Sequence, residues 1–292
     1  MGYYAMRPRL AQWVRESDWG TALHLTATTT ADAEEVTLTR MTLNIPGAIY
    51  WGDGTVTSVA ANDTTAKSHT YATAGTYKIT VPQATHITNV RIDNAKIGGL
   101  NTAELRHSPM DYFYLMLATG CTIDSADMVA WRPTYWYLYS MPAGTYAIDS
   151  AGMVDWRPST WYLSSMPAGT YAIDSADMVD WRPTYCYLFS MPAASSSYTF
   201  AASVMRNWTA AIDIRCNDLG LSEAAVNTIV HDIWSGKATY TYAAPRLYIG
   251  GTNANPSGVY QAVCPPTSGL EEVYDLVNGN CTADGPEWAV DY

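Results

Sequence analysis

The sequence predicts a mainly β chain with short helices, in which a Thr- and Val-rich β segment leads into a stack of repeated rungs built around a parallel sheet. Two observations carry this. Trp131-Arg132-Pro133, Trp156-Arg157-Pro158 and Trp181-Arg182-Pro183 recur at intervals of 25 residues, and Met141-Pro142, Met166-Pro167 and Met191-Pro192 keep the same step. Such a period marks a unit that cannot bury its apolar side alone and must stack on its neighbours. The second observation is texture: before residue 84 the repeat is absent, and glycine turns separate alternating β-forming segments.

Each repeat reads as a strand, a turn, a short helical piece and a stop. Strands are expected at 137–141, 162–166 and 187–191. Leu138, Leu163 and Leu188 share one parity with Ser140, Ser165 and Ser190 and are expected inside; Tyr137, Tyr162 and Tyr187 take the open face. Pro-Ala-Gly ends the strand at 142–144 and 167–169. In Asp149-Ser150-Ala151-Gly152-Met153-Val154-Asp155-Trp156, Asp149 or Ser150 suits an N-cap. Met153 and Trp156 point one way off an α or 3₁₀ turn that Pro158 stops.

A weaker copy precedes these, with 112–116 aligned to 137–141. Fainter rungs are read at Val90-Arg91-Ile92, Ile212-Asp213-Ile214 and Leu247-Tyr248-Ile249, about seven in all. Ser222 caps a following helix whose stripe is Leu221, Val226, Ile229, Val230 and Ile233. Ile212-Asp213-Ile214-Arg215-Cys216-Asn217-Asp218-Leu219 resembles the leucine-rich repeat, with Asn217 in the position that bonds the turn backbone. The best copies depart from it by placing Pro and Ala where that pattern has Asn. The resemblance implies an irregular leucine-rich-repeat-like solenoid over 84–263, clearest at 112–192, with a C-terminal cap or tail at 264–292.

Between residues 20 and 83, an apolar strand from 41 to 50 precedes Trp51-Gly52-Asp53-Gly54-Thr55. His69-Thr70-Tyr71-Ala72-Thr73-Ala74-Gly75-Thr76-Tyr77-Lys78-Ile79-Thr80-Val81 then turns at a glycine into an alternating strand. Together these resemble the PKD domain, which implies an N-terminal immunoglobulin-like β-sandwich that folds independently and serves as a spacer or interaction unit. Asp53 and His69 are read as turn and strand-end hydrogen-bonding groups. Residues 1–19 form an arm carrying Arg7, Arg9 and Arg15 with Trp13 and Trp19.

Net charge −11 without a basic stripe argues against nucleic acid. Neither a secretory core nor a membrane span is read. The 22 Tyr and 11 Trp against 3 Phe suit half-wet contact surfaces. The histidines are scattered and no catalytic or phosphate-binding motif occurs, so no enzyme, cofactor or metal is expected. The row Asp124, Asp127, Asp149, Asp174 and Asp177 is read as helix caps in preference to a calcium ladder. Arg132, Arg157 and Arg182 are expected to stack on tryptophans and pair with that row. Cys121 and Cys186 are read as small core or rung residues, with a Cys264–Cys281 bridge as an option.

The good copies differ mainly within the strand, at Tyr135/Thr160/Tyr185, Trp136/Trp161/Cys186 and Tyr139/Ser164/Phe189. A constant frame with variable side chains on one segment is what a tunable binding face looks like; drift after duplication is the bland alternative. The candidate partner-binding residues are Tyr112, Tyr114, Tyr135, Tyr137, Tyr139, Tyr162, Tyr187 and Phe189. By resemblance to virion proteins of tailed phages and to bacterial surface proteins, the chain is expected to be a tail-fibre or adhesin component of a virion that recognises a host surface glycan or protein. The alternatives are a capsid decoration or filament subunit packed on neighbouring virion subunits, and a bacterial cell-surface adhesin. A homo-oligomer or larger assembly is expected.

Overall fold

A computed structural model describes residues 22–192, 196–279, 281 and 286–292; the N-terminal arm at 1–19 lies outside them. The chain is mainly β with a long parallel sheet. It begins with β1 (Leu23–Thr29), β2 (Glu34–Leu38), β3 (Arg40–Leu43), β4 (Gly47–Tyr50), β5 (Val56–Val59), β6 (Lys67–Tyr71) and β7 (Gly75–Val81). The single strand expected from 41 to 50 is broken, because Pro46 lacks an amide for a ladder. Its two halves, β3 and β4, join different sheets.

The repeated region supplies β8 (Ile87–Ile92), the short β9 (Ile97–Gly98), β10 (Tyr112–Met116), β11 (Thr122–Asp124), β12 (Tyr135–Tyr139), β13 (Thr145–Asp149), β14 (Thr160–Ser164), β15 (Thr170–Asp174), β16 (Tyr185–Phe189) and β17 (Ser196–Thr199). After these come β18 (Asp213–Arg215), α1 (Glu223–Ser235), β19 (Arg246–Tyr248), α2 (Gly269–Asn278) and β20 (Ala289–Asp291). Among the described residues a nine-stranded sheet runs β20-β19-β18-β16-β14-β12-β10-β8-β3. All its pairings are parallel except β3 with β8, and at about 4.8 Å per strand it is about 38 Å long. A second parallel sheet, β11-β13-β15-β17, forms the next side of the stack. Each rung is therefore strand, turn, strand and 3₁₀ turn; the Thr-Tyr-Ala-Ile-Asp strand was hidden in what the sequence presents as the lead-in to a helix.

The strands of the three best copies lie two residues earlier than the sequence suggests, while the first lies at 112–116 as expected but pairs Tyr112 with Tyr135 and Leu115 with Leu138, not with Tyr137 and Ser140. That copy is 23 residues from the next, so a fixed 25-residue step misplaces it. Leu138, Leu163 and Leu188 are buried in one column. Ser140, Ser165 and Ser190 are not interior; they end the strands with φ near +50° and lie at the turn. Trp136, Trp161 and Cys186 share the leucine parity and are buried, so their variation belongs to the core and not to a binding face.

The constant residues tie rung to rung. Trp131, Trp156 and Trp181 are buried and donate Nε1–H to the carbonyls of Leu105, Met128 and Met153 in the preceding rung, at 3.0, 3.3 and 3.3 Å. The buried hydroxyls of Ser125, Ser150 and Ser175 accept from the amides of Asp149, Asp174 and Ala201. Asp124, Asp149 and Asp174 cap the 3₁₀ turns by accepting from the amides of Ala126, Ala151 and Ala176. Gly144 and Gly169 pass so close to the preceding rung that a Cβ would sit 2.6 and 2.8 Å from the carbonyl oxygens of Cys121 and Tyr146. Arg132 and Arg157 do not stack on tryptophan: each reaches the next copy, to Asp155 and Asp180 at 2.9 Å.

Later rungs keep the sheet and replace the second strand by helices. Ser222 caps α1 through the amide of Ala225, and Val226, Ile229, Val230 and Ile233 are buried. The buried asparagine staple is Asn253: its Oδ1 accepts from the amides of Leu219 and Leu221, and its Nδ2 donates to the carbonyls of Cys216 and Ile249. Asn217 donates to Asp218. The expected C-terminal cap supplies α2 and one more parallel strand, β20. Cys121, Cys186 and Cys216 are buried; Cys264 is exposed, and Cys281 donates its thiol to the Val263 carbonyl instead of bridging to Cys264.

The N-terminal segment has one sheet β5-β4-β7-β1-β9 and a ribbon β2-β6. Asp53 accepts from the hydroxyl and amide of Thr55 and from His69 at 2.7 Å, while Tyr71 donates to the Trp51 carbonyl. The Trp-Gly-Asp-Gly-Thr and His-Thr-Tyr stretches are thus one hydrogen-bonded corner. The segment shares strands with the stack, since β3 pairs with β8 and β9 pairs with β1. One apolar cluster runs from Leu23 to Trp288. No described helix is long and apolar enough to cross a membrane.

Candidate functional site

The long sheet has an inner and an outer face, fixed by period-2 alternation. Inner positions hold Phe113, Leu115, Trp136, Leu138, Trp161 and Leu163, all buried. The outer face holds every sequence-derived candidate: Tyr112, Tyr114, Tyr135, Tyr137, Tyr139, Tyr162, Tyr187 and Phe189, aligned in three columns by the parallel register.

In the middle column the rings stack on one another. Tyr114 and Tyr137 lie 4.3 Å apart and Tyr137 and Tyr162 4.0 Å apart, both near parallel; Tyr162 meets Tyr187 edge-on at 5.0 Å. Guanidinium groups close the column. Arg91 lies 4.7 Å over Tyr114, and Arg215 lies 4.7 Å over both Tyr187 and Tyr248. These contacts leave the tyrosines half-buried, and burial raises the phenol pKa of Tyr114, Tyr137, Tyr162 and Tyr187. The column therefore presents ring edges and protonated hydroxyls to solvent, not open ring faces.

The outer columns differ. Tyr139, Tyr162 and Phe189 make edge contacts at 5.7 and 5.6 Å, and Ser164, between Tyr139 and Phe189 in register, is buried. The other outer column reads Tyr112, Tyr135, Thr160, Tyr185. Arg40 lies 4.8 Å over Tyr112, and Tyr112 meets Tyr135 at 5.6 Å. Tyr135 and Tyr185 are the most open rings of the face, at 44% and 36% exposure. Thr160 separates them.

Sequence reasoning missed Arg40, Arg91, Arg215 and the gap at Thr160. The signal was available: in Val90-Arg91-Ile92 and Ile214-Arg215-Cys216 the arginine alternates with apolar neighbours, which gives it the tyrosine parity. Among the described residues no group of acidic, histidine and cysteine side chains could hold a metal ion. No family model matches the chain, and neither a curated protein nor a solved structure does.

Proposed function

We propose that the protein is a non-enzymatic virion component of a tailed phage, a tail-fibre or adhesin part that contacts the host surface through the outer face of its long sheet. In this reading the N-terminal segment is a PKD-like, immunoglobulin-like sandwich, and the stack is a leucine-rich-repeat-like solenoid that holds the face rigid. The observation that carries the reading is the aromatic outer face. Eight candidate side chains lie on one side of a continuous parallel sheet, and an aromatic face of this extent on an acidic chain supports a contact role. Tyrosine suits contacts because it offers a large area at small entropic cost.

A second reading, a capsid decoration or filament subunit, uses the same face against a neighbouring subunit. A bacterial surface adhesin would use it as the first reading does, from a cell instead of a particle. Labelled antibody on the source particle separates these. Label at the tail tip supports the adhesin, uniform label on the shell the decoration, and absence from particles with label on cells the bacterial adhesin.

A further inference from the structure

We propose that the gap over Thr160, between Tyr135 and Tyr185, is a sugar-ring slot and that its ligand is an acidic polysaccharide lying along that column; this rests on the contact-face reading above. The spacing favours a sugar. Tyr135 and Tyr185 stand on alternate strands, their backbones about 9.6 Å apart at two strand spacings. A ring sandwiched between two aromatic faces needs two carbon contacts of about 4 Å each, about 8 Å together. The residue between them, Thr160, is small. Tyr135 meets Tyr112 at 5.6 Å and Tyr185 meets Tyr187 of its own strand at 6.0 Å, both tilted, and among the described residues neither ring has a ring partner across the gap. The middle column offers no such place, because its rings already stack on each other.

Charge selects the class of sugar. The chain carries −11 overall, yet the outer face of the long sheet holds Arg40, Arg91, Arg215 and Arg246 against Asp213 and Asp291. Four arginines less two aspartates give +2, and the face stays positive when Asp93, paired with Arg91, is added. From the neighbouring column the Arg40 guanidinium reaches over Tyr112 at one end; at the other, Asp213 stands beside Tyr185, paired with Arg215 at 3.0 Å, and Arg246 follows it in the slot's column. A glycan whose rings alternate with carboxylates would place one ring in the slot and acid groups towards Arg40 and Arg246. Single-stranded nucleic acid is also anionic and aromatic-stacking, but planar bases need less than the available width and gain nothing from a slot of sugar thickness.

The test uses the full chain and calorimetric titration with oligogalacturonate, a hyaluronan oligosaccharide and oligosialic acid, against a neutral malto-oligosaccharide and an oligo-dT of similar length. At least one acidic sugar is expected to bind, more tightly than the neutral sugar and the oligo-dT, and more weakly as salt rises. Thr160→Tyr fills the slot with the residue that neighbouring rungs already carry and is expected to abolish binding. Tyr185→Ser is expected to weaken it about ten-fold, and Arg246→Gln to weaken it and flatten its salt dependence. The proposal is overturned if no acidic sugar binds, if the neutral sugar or oligo-dT binds as well, or if both Thr160→Tyr and Tyr185→Ser bind like the parent. Loss of host adsorption in the slot variants without acidic-sugar binding overturns the ligand class alone; unchanged adsorption in every face variant overturns the contact face itself.

Discussion

At the residue scale, magnitudes separate the side chains that hold the stack from those that decorate it. Leu163 is wholly buried, and Leu163→Ala is expected to cost about 2–5 kcal/mol in urea unfolding. The Arg132–Asp155 pair is half-exposed at both ends, so Asp155→Ala is expected to cost less than about 1 kcal/mol in the same assay. A larger loss there than at Leu163 would reverse this ranking. Asp53 gives a pH signature. Burial pulls its pKa up, but the hydroxyl and amide of Thr55 and the imidazole of His69 outweigh it and hold the carboxyl at about 2. A depressed folded-state pKa means the unfolded chain binds the proton first. The stability from Asp53 is therefore full above about pH 4, the unfolded value, and is lost as pH falls towards about 2. Melting temperature followed between pH 5 and pH 2 should fall, and Asp53→Asn should flatten that fall.

At the element scale, the repeat is a set of inter-rung fasteners more than a set of strands. The Trp-Arg-Pro tryptophan bonds the preceding rung, the buried Ser the following one, and the Asp cap its own turn. Asp149→Ala is expected to cost about 1 kcal/mol as a lost cap, and Trp156→Phe more than that, because it removes a buried inter-rung hydrogen bond and leaves a void beside the stacked Trp181 ring. Equal, negligible losses in thermal unfolding would contradict the fastener account. The period, the buried Leu column, the caps at Asp124, Asp149 and Asp174 and the tyrosine parity were legible because they follow from spacing and alternation. Asp127 and Asp177, read with the same row, instead accept from Arg106 and the Ser150 hydroxyl respectively and cap nothing. The second sheet was not, since Thr-Tyr-Ala-Ile-Asp is too short to show a period before a capped turn. The serine at φ near +50° was misread as interior because parity continues on paper after the strand has ended. Asn253 was missed because its rung departs from the 25-residue step, so no alignment placed it under a known position.

At the whole-molecule scale, the N-terminal segment and the stack exchange strands and share one buried cluster, so the intact chain is expected to unfold in a single calorimetric transition. Residues 20–83 expressed alone lose β8 and β9 and should melt broadly; a sharp, independent transition would restore the separable sandwich that the sequence suggests. The candidate site itself was legible as a set of residues but not as a surface. Sequence places the tyrosines on one face, and only the register shows that three of them stack ring on ring while Tyr135 and Tyr185 stay open across Thr160.

The central claim is that this outer face makes the contact. Its most direct measurement is competition: purified full chain is added to host cells before the source particle, and particle adsorption is counted. The parent chain should block adsorption by occupying the receptor, and a Tyr135→Ser/Tyr185→Ser chain of unchanged near-UV spectrum should not. Equal blocking by both chains, or none by either, would contradict the claim.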